Sequence, residues 1–315
     1  MRSKDVILVL DFGSQYTQLI ARRVRESKVF SKIVPYNISI EEIKEINPKG
    51  LIFSGGPLSV YDEGAPLPRK DIYKLKIPIL GICYGAQLLT HMFGGKVDKT
   101  QEREYGRAEL FVDSPKGIFF NLPSNITSWM SHGDEIKKLP PGFRSIAHTL
   151  ATPNAAIANP AKKIYGVQFH PEVVHTQRGT QIITNFVFQV CGCLARWTMD
   201  KFIKEKIKEV KEAVKGKKVV MGLSGGVDSS VAAVLLSQAI GKNLHCIFVD
   251  NGLLRKNEAA AVERTFKAHF KINLVCVDAQ KRFLNRLKNM TDPEQKRKII
   301  GDEFIKVFQD AANRS

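Results

Sequence analysis

Three short stretches of the 315-residue chain carry residue types that together could perform acyl transfer through a thiol. Cys83 stands between Gly81 and Gly85, after the apolar run Ile77 to Ile82 and before the helix-like Ala86 to Met92. A thiol at a sharp strand-to-helix turn is held clear of a sheet, and the helix N-terminus favours a thiolate and offers amide donors. Such a nucleophile needs a base. His170 follows the run Ile164 to Phe169, and Glu172 lies just beyond Pro171, where a carboxylate can orient the imidazole and stabilise its charged form. In Ser54-Gly55-Gly56-Pro57 the paired glycines let the Gly56 N–H face a developing oxyanion, with the amide of Tyr84 as its partner. Each feature alone also fits a plainer role: a buried cysteine, a turn histidine, a glycine turn. Their order and spacing favour the chemistry.

A second constellation is Ser224-Gly225-Gly226-Val227-Asp228-Ser229-Ser230, between the strand-like Lys217 to Leu223 and a helix beginning near Val227. A glycine-rich turn opening a helix presents free N–H groups and a positive dipole end to phosphate. The Gly-Lys-Ser/Thr ending of a Walker A loop is absent, and hydroxyls stand in place of the lysine.

The elements that must position these groups alternate strand and helix. Val6 to Leu10, Gly50 to Phe53, Ile77 to Ile82 and Ile164 to Phe169 read as buried strands, with helices over Tyr16 to Ser27 and Thr180 to Cys191. This predicts a mostly parallel, doubly wound sheet. From Glu109 to Ala158, prolines punctuate what reads as shorter, turn-rich strands. Thr198 to Lys215 has apolar residues at helical spacing, stops at Gly216, and reads as a connection between domains. A second α/β pattern follows: strands Lys217 to Leu223, Leu244 to Val249 and Ile272 to Val277, with helices Val227 to Ile240, Asn257 to His269 and Glu294 to Ala312. Its first strand should lie inside the sheet, yet one flank is missing.

Length predicts two domains, and a hydrophobic fraction of 43% can fill their cores. No apolar run approaches the roughly 20 residues that span a bilayer, and Met1 to Asp5 lead straight into a strand, so no membrane association and a cytoplasmic location are expected. The odd count of five cysteines argues against a secreted disulfide framework, and Cys191-Gly192-Cys193 is too small a cluster for zinc. A net charge of +17 attracts polyanions, but no aromatic and basic RNA-binding signature accompanies it. Solvated basic faces are expected, and no nucleic-acid partner.

Asp11-Phe12-Gly13-Ser14-Gln15-Tyr16, Ser54 to Pro57, Gly81 to Gln87, Ser131-His132-Gly133-Asp134 and Gln168 to Glu172 together resemble the class I glutamine amidotransferases. The resemblance implies a flavodoxin-like domain over residues 5–195, in which Cys83 attacks the glutamine side-chain amide, His170 moves protons and Glu172 holds His170. A glutamyl thioester is then hydrolysed and ammonia is the useful product. Gln87, Ser131, His132, Gly133 and Asp134 are the implied glutamine contacts.

The Ser224 to Ser230 run resembles the pyrophosphate loop of the N-type ATP pyrophosphatases, an adenine-nucleotide α-hydrolase-like, Rossmann-type fold. That implies ATP on Ser224, Gly225, Gly226, Val227, Asp228, Ser229 and Ser230, with Asp228 helping to hold Mg²⁺. The expected layout is a linker helix at 196–216 and an incomplete ATP pyrophosphatase domain at 217–315.

Cys191 to Cys193 followed by Trp197-Thr198-Met199, Val249 to Arg255, and Asp292 to Gly301 resemble the glutamine-hydrolysing GMP synthases. The resemblance implies ATP-dependent adenylation of XMP and amination to GMP, in purine biosynthesis, with Arg297 either contacting XMP or lying on a solvated helix face. Such enzymes continue with more of the ATP domain and a C-terminal domain that makes them homodimers. The expectation is therefore a fragment, a truncated product, or half of a split enzyme whose second subunit supplies the rest. The alternatives are a stand-alone glutaminase that donates ammonia, and an RNA-modifying pyrophosphatase that would leave the thiol domain unexplained.

Overall fold

A computed structural model describes residues 5–270 and 272–314; the lead-in residues 1–4 and the terminal residue 315 lie outside the described residues. The chain divides into two compact units, Met1–Thr198 and Met199–Ser315.

In the first unit the strands β1 (Val6–Asp11), β2 (Phe30–Pro35), β3 (Gly50–Phe53), β4 (Ile79–Ile82), β5 (Lys96–Val112), β6 (Asn125–Lys138), β7 (Arg144–His148), β8 (Ala156–Asn159) and β9 (Ile164–Val167) form one sheet, in the order β2-β1-β3-β4-β9-β8-β7-β5-β6. The five from β2 to β9 are parallel, and the remainder of the sheet is antiparallel. That parallel order is the flavodoxin-like one, in which functional groups gather beyond the carboxyl ends of the strands. Strand β1 is apolar at consecutive positions because both faces are covered: Ile7 and Val9 feed one core, Val6, Leu8 and Leu10 the other. The helix α1 (Thr17–Glu26) buries Thr17, Ile20, Ala21 and Val24, one stripe at helical spacing. It joins the same core as Ile182 and Ile183 of α4 (Gly179–Asn185), while Leu88 and Leu89 of α3 (Tyr84–Met92) pack on the opposite face.

The structure corrects several sequence expectations. Strand β2 and the helix α2 (Ile40–Ile46) were not foreseen, and the region expected to hold short strands does hold β7 and β8 but also the long β6, paired antiparallel with a β5 that mostly precedes that region. The polar run from Asp98 onward in β5 conceals alternation, and the register shifts between Lys99 and Glu104. The closing helix is regular only as far as Asn185; Phe186–Val190 continues as wider turns.

The second unit is a three-stranded parallel sheet, β10 (Val219–Gly222), β11 (Leu244–Asp250) and β12 (Asn273–Asp278), ordered β10-β11-β12. With it go α5 (Met199–Val214), α6 (Val227–Ile240), α7 (Glu258–His269), α8 (Gln280–Leu287) and α9 (Pro293–Ala312), of which α8 was not foreseen. Alternate residues of β11 again supply two cores, Cys246 and Phe248 on one face, Ile247 and Val249 on the other. Among the described residues β10 pairs only with β11, and its side chains are half-buried or exposed.

Candidate active site

Cys83 occupies a left-handed backbone conformation, φ 51° and ψ −108°, between β4 and α3. Such a conformation in a residue with a side chain costs about 1–3 kcal/mol and persists only when its surroundings fix it. Here its N–H donates to the Val167 carbonyl at 2.7 Å, and its carbonyl accepts from Ala86 and Gln87. The flanking glycines make the turn possible. A Cβ on Gly81 would lie 2.5 Å from the Gly85 carbonyl, and one on Gly85 would lie 2.5 Å from that of Phe53. Cys83 is 7% exposed, and its sulfur sits 3.7 Å from the Ser131 carbonyl.

His170 emerges beyond β9 and is braced from three sides. Its N–H donates to the Trp129 carbonyl at 3.0 Å, its carbonyl accepts the Thr176 hydroxyl at 2.6 Å, and its ring meets Tyr16 edge-on at 5.3 Å. Nδ1 lies 2.7 Å from Glu172 Oε1, and Glu172 is fully buried. Arg23 of α1 holds the Glu172 backbone carbonyl at 3.0 Å. Burial opposes charge on His170, but hydrogen bonds and charge from Cys83 and Glu172 outweigh it and push the imidazole up to about 10. The fold thus brings together Cys83, His170 and Glu172, distant in sequence, at the carboxyl ends of β4 and β9.

Gly56 lies beyond β3, and a Cβ there would stand 3.2 Å from the Tyr84 ring. The backbone amides of Gly56 and Tyr84 have no acceptor among the described residues. A cavity of about 490 Å³ is lined by Gly56, Cys83, Gln87 and the whole Ser131-His132-Gly133-Asp134 run of β6. Gln87 Nε2 donates to the Asp134 carbonyl at 2.9 Å, tying α3 to that strand. His132 is buried, which lowers its pKa against the pull of Glu104 and Glu135, and neither ring nitrogen has a hydrogen-bond partner among the described residues. Sequence reasoning missed Arg23, Thr176, Lys99 and Tyr105, the last two also lining the cavity. They lie outside glycine-marked turns, and nothing local in the sequence distinguishes them.

Of the other cysteines, Cys191, Cys193 and Cys246 pack in or against the cores, and Cys276 is exposed. Burial pushes Cys193 up to about 12 and Cys191 higher still, and Cys191 Sγ occupies the space a Gly50 Cβ would need.

In the second unit the Ser224–Ser230 run wraps the N-terminus of α6. Gly225 has φ 79°, and a Cβ there would meet Val262 at 2.8 Å. The Ser224 and Ser229 hydroxyls are 2.9 Å apart, and those of Ser229 and Ser230 both donate to the Gly226 carbonyl. Asp228 is exposed in the first helical turn. Arg297 lies on an exposed face of α9, paired with Glu294 at 3.0 Å.

Comparison with known proteins agrees with this division. Residues 8–190 match the family profile of glutamine amidotransferase class-I, and residues 197–300 match that of NAD synthase. GMP synthase (glutamine-hydrolyzing) of Bacillus cereus is 56% identical over 313 residues, and that of Acetivibrio thermocellus 54% over 312. Each alignment covers 99% of this chain, and the chain spans 61% of the length of these relatives. A crystal structure from Thermoplasma acidophilum, described as one subunit of a GMP synthase, is 35% identical with a TM-score of 0.56, covering 65% of this chain and all of that one. The chain belongs to the class-I glutamine amidotransferase family.

Proposed function

We propose that this chain is the glutamine-hydrolysing and nucleotide-binding portion of a GMP synthase. The observation that carries the reading is that 54–56% identity to enzymes of that name runs through both the thiol site and the phosphate loop. With the Cys83 proton held on His170, the sulfur attacks the side-chain amide carbon of glutamine. The carbonyl oxygen becomes an oxyanion that accepts from the Gly56 and Tyr84 amides. His170 then protonates the departing nitrogen, ammonia leaves, and a thioester remains on Cys83. Water activated by His170 releases glutamate, while Glu172 keeps the imidazole oriented throughout. Gln87, Ser131, His132, Gly133 and Asp134 form the wall against which glutamine lies.

At the second site the Ser224–Ser230 amides and hydroxyls receive the phosphates of ATP. One exposed carboxylate beside such a loop suits magnesium, which keeps several waters and shares phosphate oxygens, so Asp228 would hold it. The bound ion would neutralise phosphate charge. XMP is the acceptor in this reading, with Arg297 a candidate contact.

A second reading, an ammonia-donating glutaminase subunit, is favoured by the Thermoplasma acidophilum relative, which aligns over its whole length and is described as a subunit. One assay separates the two. The purified chain is given XMP, Mg·ATP and either glutamine or ammonium, and glutamate, AMP and GMP are measured. GMP and AMP in equal amounts support the first reading; glutamate from glutamine without GMP from either nitrogen source supports the second.

A further inference from the structure

We infer that Ser54 is the positioning residue that locks the oxyanion hole in its working orientation; this rests on the glutaminase reading above. The donor assigned to the oxyanion, the Gly56 N–H, belongs to the peptide between Gly55 and Gly56. No Cβ flanks that peptide on either side, so reversal of its plane is sterically easy. Reversed, it would aim the Gly55 carbonyl at the place where negative charge develops. Something must hold it.

The holding group is the Ser54 hydroxyl. Ser54 Oγ lies 2.8 Å from the Gly55 carbonyl oxygen and 2.9 Å from the Phe12 nitrogen. The Phe12 N–H can only donate, so Oγ accepts it and its own proton is left for Gly55. In a trans peptide the carbonyl and the following N–H point in opposite directions. Anchoring the Gly55 oxygen toward buried Ser54 therefore directs the Gly56 N–H away from the core, on the side where Gly56 lines the cavity with Cys83. Ser54 is wholly buried, so water cannot substitute for the hydroxyl. Its own N–H is fixed to the Leu10 carbonyl at 3.1 Å, which ties the device to the end of β1. Phe12 closes the arrangement, because its carbonyl lies 2.9 Å from where a Gly56 Cβ would be.

The test compares two reactions of Cys83. Hydrolysis of glutamine passes through an oxyanion; alkylation by iodoacetamide displaces iodide at a saturated carbon and does not. Ser54→Ala is expected to lower kcat for glutamine by roughly 10²–10³, the loss typical of one oxyanion donor. KM should stay within about threefold, because the lost contact belongs to the transition state. The alkylation rate should match that of the unaltered protein, and a crystal structure of the variant should show the Gly55–Gly56 peptide reversed or in two orientations. Unchanged kcat, or alkylation lost in step with hydrolysis, would overturn the proposal, the second outcome by reducing Ser54 to a structural role. Should Ser54→Ala not fold, Ser54→Cys keeps a weaker donor of similar size and should show the same split at smaller amplitude. If the unaltered protein hydrolyses no glutamine while Cys83 alkylates normally, the glutaminase reading fails and the proposal falls with it.

Discussion

The two candidate sites are built on opposite principles. Around Cys83 the proposed reacting groups are sunk into the fold, 7% exposed at Cys83, 5% at His170 and 0% at Glu172, and together they are held by hydrogen bonds from β6, β9, α1 and Thr176. Around Ser224 the chain is exposed from Ser224 through Asp228, and the hydroxyls bond mostly within their own turn. Covalent chemistry needs a low dielectric and a geometry fixed before substrate arrives. Phosphate recognition by backbone amides needs only a correctly bent turn, whose remaining partners the ligand supplies. Substitutions should therefore be costly in the first site through geometry and, apart from Gly225 with its positive φ and close Val262 side chain, mild in the second except where they touch the ligand.

The sharpest way to break that contrast is Glu172→Gln. The change is nearly isosteric, but it replaces the acceptor for His170 Nδ1–H with a group that can donate, and kcat for glutamine should fall by roughly 10³–10⁴. ATP binding should be untouched. A loss below about tenfold would show that the buried carboxylate does not orient the base.

A paired glycine experiment comes next. Gly85→Ala drives a Cβ to 2.5 Å from the Phe53 carbonyl and should lower stability by about 3 kcal/mol. Gly226→Ala, whose Cβ meets only Ser224 Oγ at 3.4 Å, should cost less than about 1 kcal/mol. Urea midpoints of the two variants measure both; equal losses would erase the distinction between the sites.

Asp228→Asn should weaken Mg·ATP binding by about tenfold, the loss of one carboxylate from a site completed by phosphates and water. Glutamine hydrolysis at low turnover should be unchanged. Calorimetric titration with Mg·ATP checks the first half and glutamate release the second.

The smallest effect concerns pH. His170 has a folded pKa of about 10, above the unfolded value of about 6.5, so its stabilisation is complete below the lower value and is lost as pH rises through the higher. The stability difference between the unaltered protein and His170→Gln should narrow from neutral pH toward pH 10. A constant difference would mean that the imidazole is not held charged.

Much of this was legible in the sequence because turns that approach the backbone closely demand glycine. Gly81, Gly85 and the Gly55-Gly56 pair marked the strand ends, and consecutive apolar residues marked strands covered on both faces. The helix α2 carried a readable signal, since Ser39 and Glu42 form a reciprocal capping box, the Glu42 N–H reaching Ser39 Oγ at 3.2 Å. The long β5 and β6 pair was illegible for a physical reason. Its pairing is non-local, and the polar stretch beginning at Asp98 shows no period of two. Arg23 and Thr176 were equally hidden, because they act through backbone carbonyls that only the folded chain brings near.

The most direct test of the thiol chemistry is to mix the protein with glutamine, quench in acid within the first turnovers, and search the Cys83 peptide by mass spectrometry. A γ-glutamyl thioester on Cys83, absent from Cys83→Ala together with glutamate release, is the expected result. Glutamate released at an undiminished rate by Cys83→Ala would contradict it.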